Sequence, residues 1–439
     1  MVDSSIMAVH IVGGGLAGCE AALQLAERGI RVILHEAKPK SFTQAHKDPN
    51  LAELVCSNSL KSDIPPAGPA LLKAELKILG SKLLSLAENT RVPAGSALAV
   101  DRAAFARTVT TAVKKHRLID TITGVVNEPP GGPCIIATGP LSLGNISSWL
   151  TEKAGSKKLH FYDAIAPIVE ADSLNMDSLF PANRRDPKNS DYLNSPLDKE
   201  GYLSLVKALK QADQVVPRPF EEQVQFDACQ PIERIARMGD KSLAFGPFRP
   251  VGITNPKTGK RPYAVVQLRK ENAEGTAYNL VGCQTRMTTR EQKRVFRMLP
   301  GLEKAVFLRY GSVHRNMFIE GPQVLHFDLS MKNEPDVFLA GQLTGAEGYV
   351  EAITTGLLAA HFLYCRLMCI APVPPPETTA IGGLLGYITG KFGQGKSFCP
   401  SHFHYGLLPA VKAKGRRERR KVMFDRAVRD LRTWSFGIG

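Results

Sequence analysis

The spacing of apolar positions changes several times along this chain. Residues 9–12 (VHIV) are a short, mostly apolar run, and a glycine-rich turn follows at residues 13–18. Helical periodicity then covers residues 20–28, and a second alternating run at residues 31–35 ends on Glu36. Strand, glycine turn, helix and strand in this order predict the opening of a parallel α/β unit. A further apolar strand is expected at residues 134–139 (CIIATG), after the turn cluster at 127–133 (NEPPGGP). Another, at 336–341 (DVFLAG), leads through a glycine-containing loop into an apolar helix over 350–366. Between them, residues 181–194 and 214–223 are largely polar and contain proline. Short alternating runs follow at 263–269 (YAVVQLR) and 278–283 (YNLVGC). That change of period predicts an α/β domain interrupted by an α+β insertion domain. The expected division is residues 1–185, an insertion at 186–330, and the rest of the first domain at 331–439. The prolines of residues 372–376 (PVPPP) separate the apolar helix from a C-terminal segment.

With 439 residues, 44% hydrophobic and 22% charged, the chain excludes wholesale disorder and has room for two or three cores. The longest apolar stretch, residues 356–371, contains His361 and Arg366, so no membrane span is expected. The N-terminal residues run into the first strand without the pattern of a secretory signal, and a cytoplasmic location is expected. Eight cysteines are too sparse for a disulfide scaffold, and no CxxC pair or zinc spacing occurs among them. No metal site is expected. Cys365 and Cys369, four apart, are expected to share one helix face as core residues. In a reducing compartment the remaining thiols are free for chemistry.

Charge narrows the field. There are 56 Lys and Arg against 41 Asp and Glu, a formal net charge of +15. Residues 412–432 carry ten of the cations, and Arg286, Arg290, Lys293, Arg294 and Arg297 recur at helical spacing. Such clusters suit a polyanion, nucleic acid above all; a solvated helix face would carry the same residues.

Gly13, Gly15 and Gly18 form G-x-G-x-x-G within Gly13, Gly14, Gly15, Leu16, Ala17 and Gly18, between strand and helix. The glycines permit a tight turn, close approach of a pyrophosphate, and close helix–strand packing, while the helix start offers free amides. Glu36 is placed to accept hydrogen bonds from an adenosine ribose. Residues 136–140 (IATGP), with Gly139, and 339–345 (LAGQLTG), with Gly341 and Gln342, resemble the later flavin motifs of glutathione-reductase-type proteins. FAD is therefore expected, although Gln342 stands where an Asp is usual; an amide still hydrogen-bonds a hydroxyl or phosphate. The fold expectation is a Rossmann-like FAD-binding domain of that type, interrupted by the insertion.

Several strings converge on one family: residues 54–63 (LVCSNSLKSD), 91–102 (RVPAGSALAVDR), 161–170 (FYDAIAPIVE), 191–196 (DYLNSP), 261–269 (RPYAVVQLR), 291–301 (EQKRVFRMLPG), 310–318 (YGSVHRNMF) and 341–351 (GQLTGAEGYVE). Over nearly its whole length the chain resembles the folate- and FAD-dependent tRNA (uracil-5-)-methyltransferases, the TrmFO family. The related MnmG (GidA) enzymes share the flavin half. The resemblance implies that 5,10-methylenetetrahydrofolate supplies a one-carbon unit to C5 of the T-arm uridine (position 54) of tRNA, giving ribothymidine. Reduced FAD supplies the reducing equivalents, and NADH or NADPH reloads the flavin. The same chemistry on a ribosomal RNA uridine, or a small-molecule flavin oxidoreductase, are the alternatives that the motifs leave open.

Uracil C5 becomes nucleophilic when a thiolate adds at C6, and a base must then take the C5 proton. By motif match Cys229 (FDACQPIER) and Cys56 (LVCSNS) are the family's functional pair, Cys229 as nucleophile and Cys56 as base, or with the roles exchanged. Ser57, Asn58 and Ser59 are candidate donors to a thiolate or the flavin. His314 matches the family histidine that stacks on the pterin, Arg315 and Asn316 lie beside it as folate or flavin contacts, and Tyr349 is placed near the isoalloxazine. The other six cysteines are expected to be structural.

Overall fold

The computed structural model describes residues 8–155, 159–184, 189–215, 230–391 and 398–436, with the backbone alone at 159–163, 314, 315, 435 and 436. Its first sheet has five parallel strands in the order Val337–Leu339, Cys134–Ile136, Val9–Val12, Val32–Glu36, Ile119–Thr123. The three central strands read as near-continuous apolar runs because helices and loops cover both sheet faces. Two helices dominate that cover: Leu16–Glu27, directly after the glycine turn, and the long helix Tyr349–Leu367. Both are apolar almost all round, as burial on every side requires. They cross where Gly356 meets Ala17. A methyl group on Gly356 would fall 2.3 Å from the Ala17 carbonyl oxygen, so only glycine allows this approach.

The insertion is a six-stranded antiparallel sheet in the order Phe180–Pro181, Leu193–Leu197, Ala264–Lys270, Ala277–Leu280, Ile168–Glu170, Phe307–Arg309. It packs its own core, including Tyr202, Leu209, Val266, Leu268, Leu280 and Phe296, against helices Lys199–Gln211, Ile232–Met238 and Thr289–Phe296. Strands on both sides of residue 186 pair in this sheet. The pair Leu159–Ala164 and Val313–Phe318 joins the two bodies.

Two helix expectations are corrected. The long helix ends at Leu367, and Cys369 lies beyond it, exposed and at φ 54°, so it does not share a face with buried Cys365. Arg286 precedes the basic helix, which starts at Thr289, and is buried. Thr288 caps that helix by accepting from the Glu291 amide, which decides where it begins.

Candidate functional site

A cavity of about 460 Å³ opens along the carboxyl ends of the parallel strands, where ligands of open α/β sheets bind. Gly13–Ala17, Glu36, Gly139, Gly341, Gln342 and Tyr349 all line it, as do Cys56 and Asn316. The turn has the form a pyrophosphate needs. No side chain caps the helix at Gly15, no acid occupies its first turn, and the space beside Gly15 is open. A methyl on Gly18 would sit 1.9 Å from the Gly13 carbonyl oxygen, which explains the third glycine. Glu36 is held at the end of its strand by the amides of Gly14 (2.7 Å) and Lys38 (2.9 Å). Open amides, a carboxylate at the second strand end and a cavity running on to Gly341 and Tyr349 fit a dinucleotide such as FAD. Gln342 donates its amide to Glu347 at 2.8 Å, leaving its carbonyl as the acceptor.

At the far end of the cavity the two bodies meet. Tyr349, first residue of the long helix, accepts hydrogen bonds at its hydroxyl from the amides of Cys56 (2.7 Å) and Ser57 (3.2 Å). Burial, and then the nearby Cys56 thiol, push the Tyr349 hydroxyl well above its ordinary pKa, so it stays protonated. Cys56 is half-buried within electrostatic range of Arg102 and Arg309. Arg102 donates to the carbonyls of Leu54 and Val55 and is anchored by Glu271 of the insertion (2.8 Å), so it fixes the backbone leading to Cys56. Arg309 donates to the Ala45 carbonyl on the cavity wall.

Asn58 does not serve as a donor to this cavity. Fully buried, it donates to the carbonyls of Val100 and Lys270, both at 2.8 Å, and accepts from Arg269 at 2.7 Å. It joins the two bodies and aims Arg269 at the cavity. Lys61 also reaches the cavity, from a left-handed backbone (φ 62°) held by buried Lys73, which donates to the carbonyls of Leu60 (2.9 Å) and Lys61 (3.0 Å).

The sequence reading passed over Arg102, Arg269, Arg309 and Lys61 as functional residues. One signal was available: an Arg that closes the mostly apolar run YAVVQLR needs a partner where the strand packs inside the fold. His314 and Arg315 lie on Val313–Phe318, opposite Asp163 and Tyr162; their side chains lie outside the described residues, and so does the whole of Cys229. Among the described residues no cluster of three or more His, Cys, Asp or Glu could hold a metal, and no helix is long and apolar enough to cross a membrane.

A profile of the glucose inhibited division protein A (GIDA) family matches residues 8–369. The chain is 46% identical over 438 residues, 98% of each chain, to an Oleidesulfovibrio alaskensis protein named methylenetetrahydrofolate--tRNA-(uracil-5-)-methyltransferase TrmFO. A Geobacter sulfurreducens protein of the same name is 47% identical over 430 residues, 97% of this chain and 98% of its own. The chain belongs to the TrmFO family.

Among solved structures, Aquifex aeolicus GidA superposes with a TM-score of 0.71 at 16% identity, over 98% of this TrmFO-family chain and 73% of its own. A second crystal form of that protein gives 0.68 at 15% identity, over 97% and 76%. At such identity the likeness concerns the fold, which is the Rossmann-like α/β core with an insertion expected from the sequence.

Proposed function

We propose that this chain methylates C5 of the T-arm uridine of tRNA, position 54, to ribothymidine, with 5,10-methylenetetrahydrofolate as one-carbon donor and NADH or NADPH as reductant. The observation that carries this reading is Cys56, which lines the same cavity as the glycine turn in a chain whose relatives, aligned over nearly their whole length, are named for tRNA uracil methylation. FAD, when bound, supplies the hydride equivalents that turn a methylene into a methyl group. Gly13–Ala17 and Glu36 would hold its pyrophosphate and ribose, and Gly139, Gly341 and Gln342 the span toward the ring.

The chain's own residues handle the uracil. The Cys229 thiolate adds to C6, which makes C5 nucleophilic toward the one-carbon unit. Cys56 takes the C5 proton as the folate nitrogen leaves the transferred carbon and tetrahydrofolate is released; a hydride equivalent then joins that carbon as the Cys229 thiolate departs from C6, which restores the ring double bond. With the roles exchanged the same atoms balance. Tyr349 holds the amides at Cys56, and Arg102 and Arg309 provide a cationic surround suited to a thiolate. His314, Arg315 and Asn316 are assigned to the folate. Because the T-arm uridine is stacked within folded RNA, the base must be extruded to reach the cavity.

The test is direct. Purified protein is incubated with an unmodified tRNA transcript, NADPH and methylenetetrahydrofolate, and the digested RNA is analysed by mass spectrometry. Folate-dependent 5-methyluridine mapped to the T-arm is expected; product only on a ribosomal RNA fragment, or NADPH turnover indifferent to any RNA, overturns the assignment. Cys229→Ala and Cys56→Ala should each abolish product while the protein remains yellow. Loss of flavin in either variant would make that cysteine structural.

A further inference from the structure

A second concavity lies outside the cavity. The helix Thr289–Phe296 buries Glu291, Gln292, Val295 and Phe296 in the insertion core and turns Arg290, Lys293 and Arg294 outward. Arg297, the next residue, is exposed beside them. These four cations, with Thr289 and Tyr310, line a cleft of about 600 Å³. Tyr310 forms a fixed wall: its ring stacks on Phe307 at 5.3 Å, and the Lys293 ammonium lies 5.9 Å from its centre.

Glu291 is the one acid in this helix, and Arg294 takes it up at 2.5 Å. Arg297 donates to the Ala305 carbonyl at 2.9 Å, which neutralises nothing. The cations span residues 290–297, about 10 Å along a helix axis. A row of this length matches successive phosphates of a polynucleotide, whereas a single free phosphate calls for donors converging on one point.

The cleft is also tied to the cavity. Arg309, next to Tyr310, bonds the cavity wall at Ala45. Gln292, on the buried face of the basic helix, holds both the amide (2.8 Å) and the carbonyl (2.9 Å) of Gly311. Five residues on, Asn316 lines the cavity, so cleft and cavity lie within about 20 Å along an extended chain. The C-terminal basic helix, Arg416–Phe436, differs. It sets Met423, Ala427 and Leu431 into the main core, mixes its cations with Glu418, Asp425 and Asp430, and lends no described residue to the cavity wall.

Resting on the methyltransferase reading above, we propose that the cleft formed by Arg290, Lys293, Arg294, Arg297 and Tyr310 binds the RNA sugar–phosphate backbone and sets the register that delivers a base to the cavity. The C-terminal helix contributes general attraction only.

Flavin-loaded full-length protein is titrated with fluorescent, unmodified tRNA transcript between 50 and 200 mM salt. The double variant Arg290→Ala/Lys293→Ala is compared with Arg416→Ala/Arg417→Ala, which removes the same charge elsewhere. The cleft variant is expected to bind about tenfold more weakly, with its salt slope smaller by roughly 1.5–2, and to show a raised KM for RNA. The C-terminal variant should lose less than about threefold. Flavin absorbance and thermal midpoint confirm that both are folded, and Arg290→Glu, a single site with the same change of charge as the double variant, provides a second perturbation. Wild-type affinity in the cleft variants, or equal losses in the two double variants, overturns the cleft. Wild-type protein that binds no RNA overturns the functional reading and the cleft with it.

Discussion

The Tyr349 hydroxyl accepts the backbone amide of Cys56 at 2.7 Å, across 293 residues of sequence. It takes the Ser57 amide as well, so one phenol satisfies two donors of the loop that carries the candidate thiol. Tyr349→Phe removes the acceptor without changing the ring and strands both amides, at about 1–3 kcal/mol for a buried unpaired group. A lower thermal midpoint and weaker methylation at retained flavin are expected. An unchanged midpoint and rate in the variant would mean that the hydroxyl does not hold this loop.

Asn58 joins the two bodies through three hydrogen bonds, one of them to the guanidinium of Arg269. Asn58→Ala leaves two carbonyls and a buried cation short of partners. The expected loss is about 3 kcal/mol or more, larger than for a neutral pair because a charge is involved. Urea unfolding of the flavin-loaded protein measures it. A loss below about 1 kcal/mol would show that water replaces the side chain.

Gly356→Ala sets two effects against each other. Alanine improves helix propensity by about 1 kcal/mol, but its methyl would lie 2.3 Å from the Ala17 carbonyl oxygen. The backbone fixes the positions of both the methyl and the carbonyl, so no rotamer change relieves the contact. Overpacking of about 1–3 kcal/mol should therefore win. Because Ala17 belongs to the glycine-turn end of the cavity, flavin should also dissociate faster, which fluorescence of released FAD would record.

His361 is buried beside Cys365, with Nε2 3.6 Å from Sγ. Burial, helped by Arg28, lowers its pKa from the ordinary 6.5 to about 4. Below pH 6.5 the unfolded chain binds a proton that the folded chain refuses, so stability falls as pH drops from 6.5 toward 4. The contribution at stake is at most about 3 kcal/mol. His361→Gln should shrink the difference in unfolding free energy between pH 7 and pH 5. An undiminished difference would assign the acid sensitivity to other groups.

The opening unit was legible because its determinants are local. Residues 9–36 specify strand, turn and helix through periods and glycines within thirty residues, and Gly18 has a contact partner only five residues away. Cys56 was singled out by the string around it and lies on the cavity wall, and the basic helix was legible through the spacing of its cations. What the sequence could not express is proximity between distant segments. It left Asn58 looking like a donor to the reaction, whereas packing spends its hydrogen bonds on Val100, Lys270 and Arg269. It put Arg286 on one helix with Arg290, Lys293, Arg294 and Arg297, whereas the Thr288 cap starts the helix later and leaves Arg286 buried. The meeting of Tyr349 with Cys56, of Arg102 with Glu271 and of Arg309 with Ala45 joins segments 169 to 293 residues apart. A one-dimensional pattern records which face each segment buries; which segments then come together is settled only when the two cores pack and their polar groups must find partners.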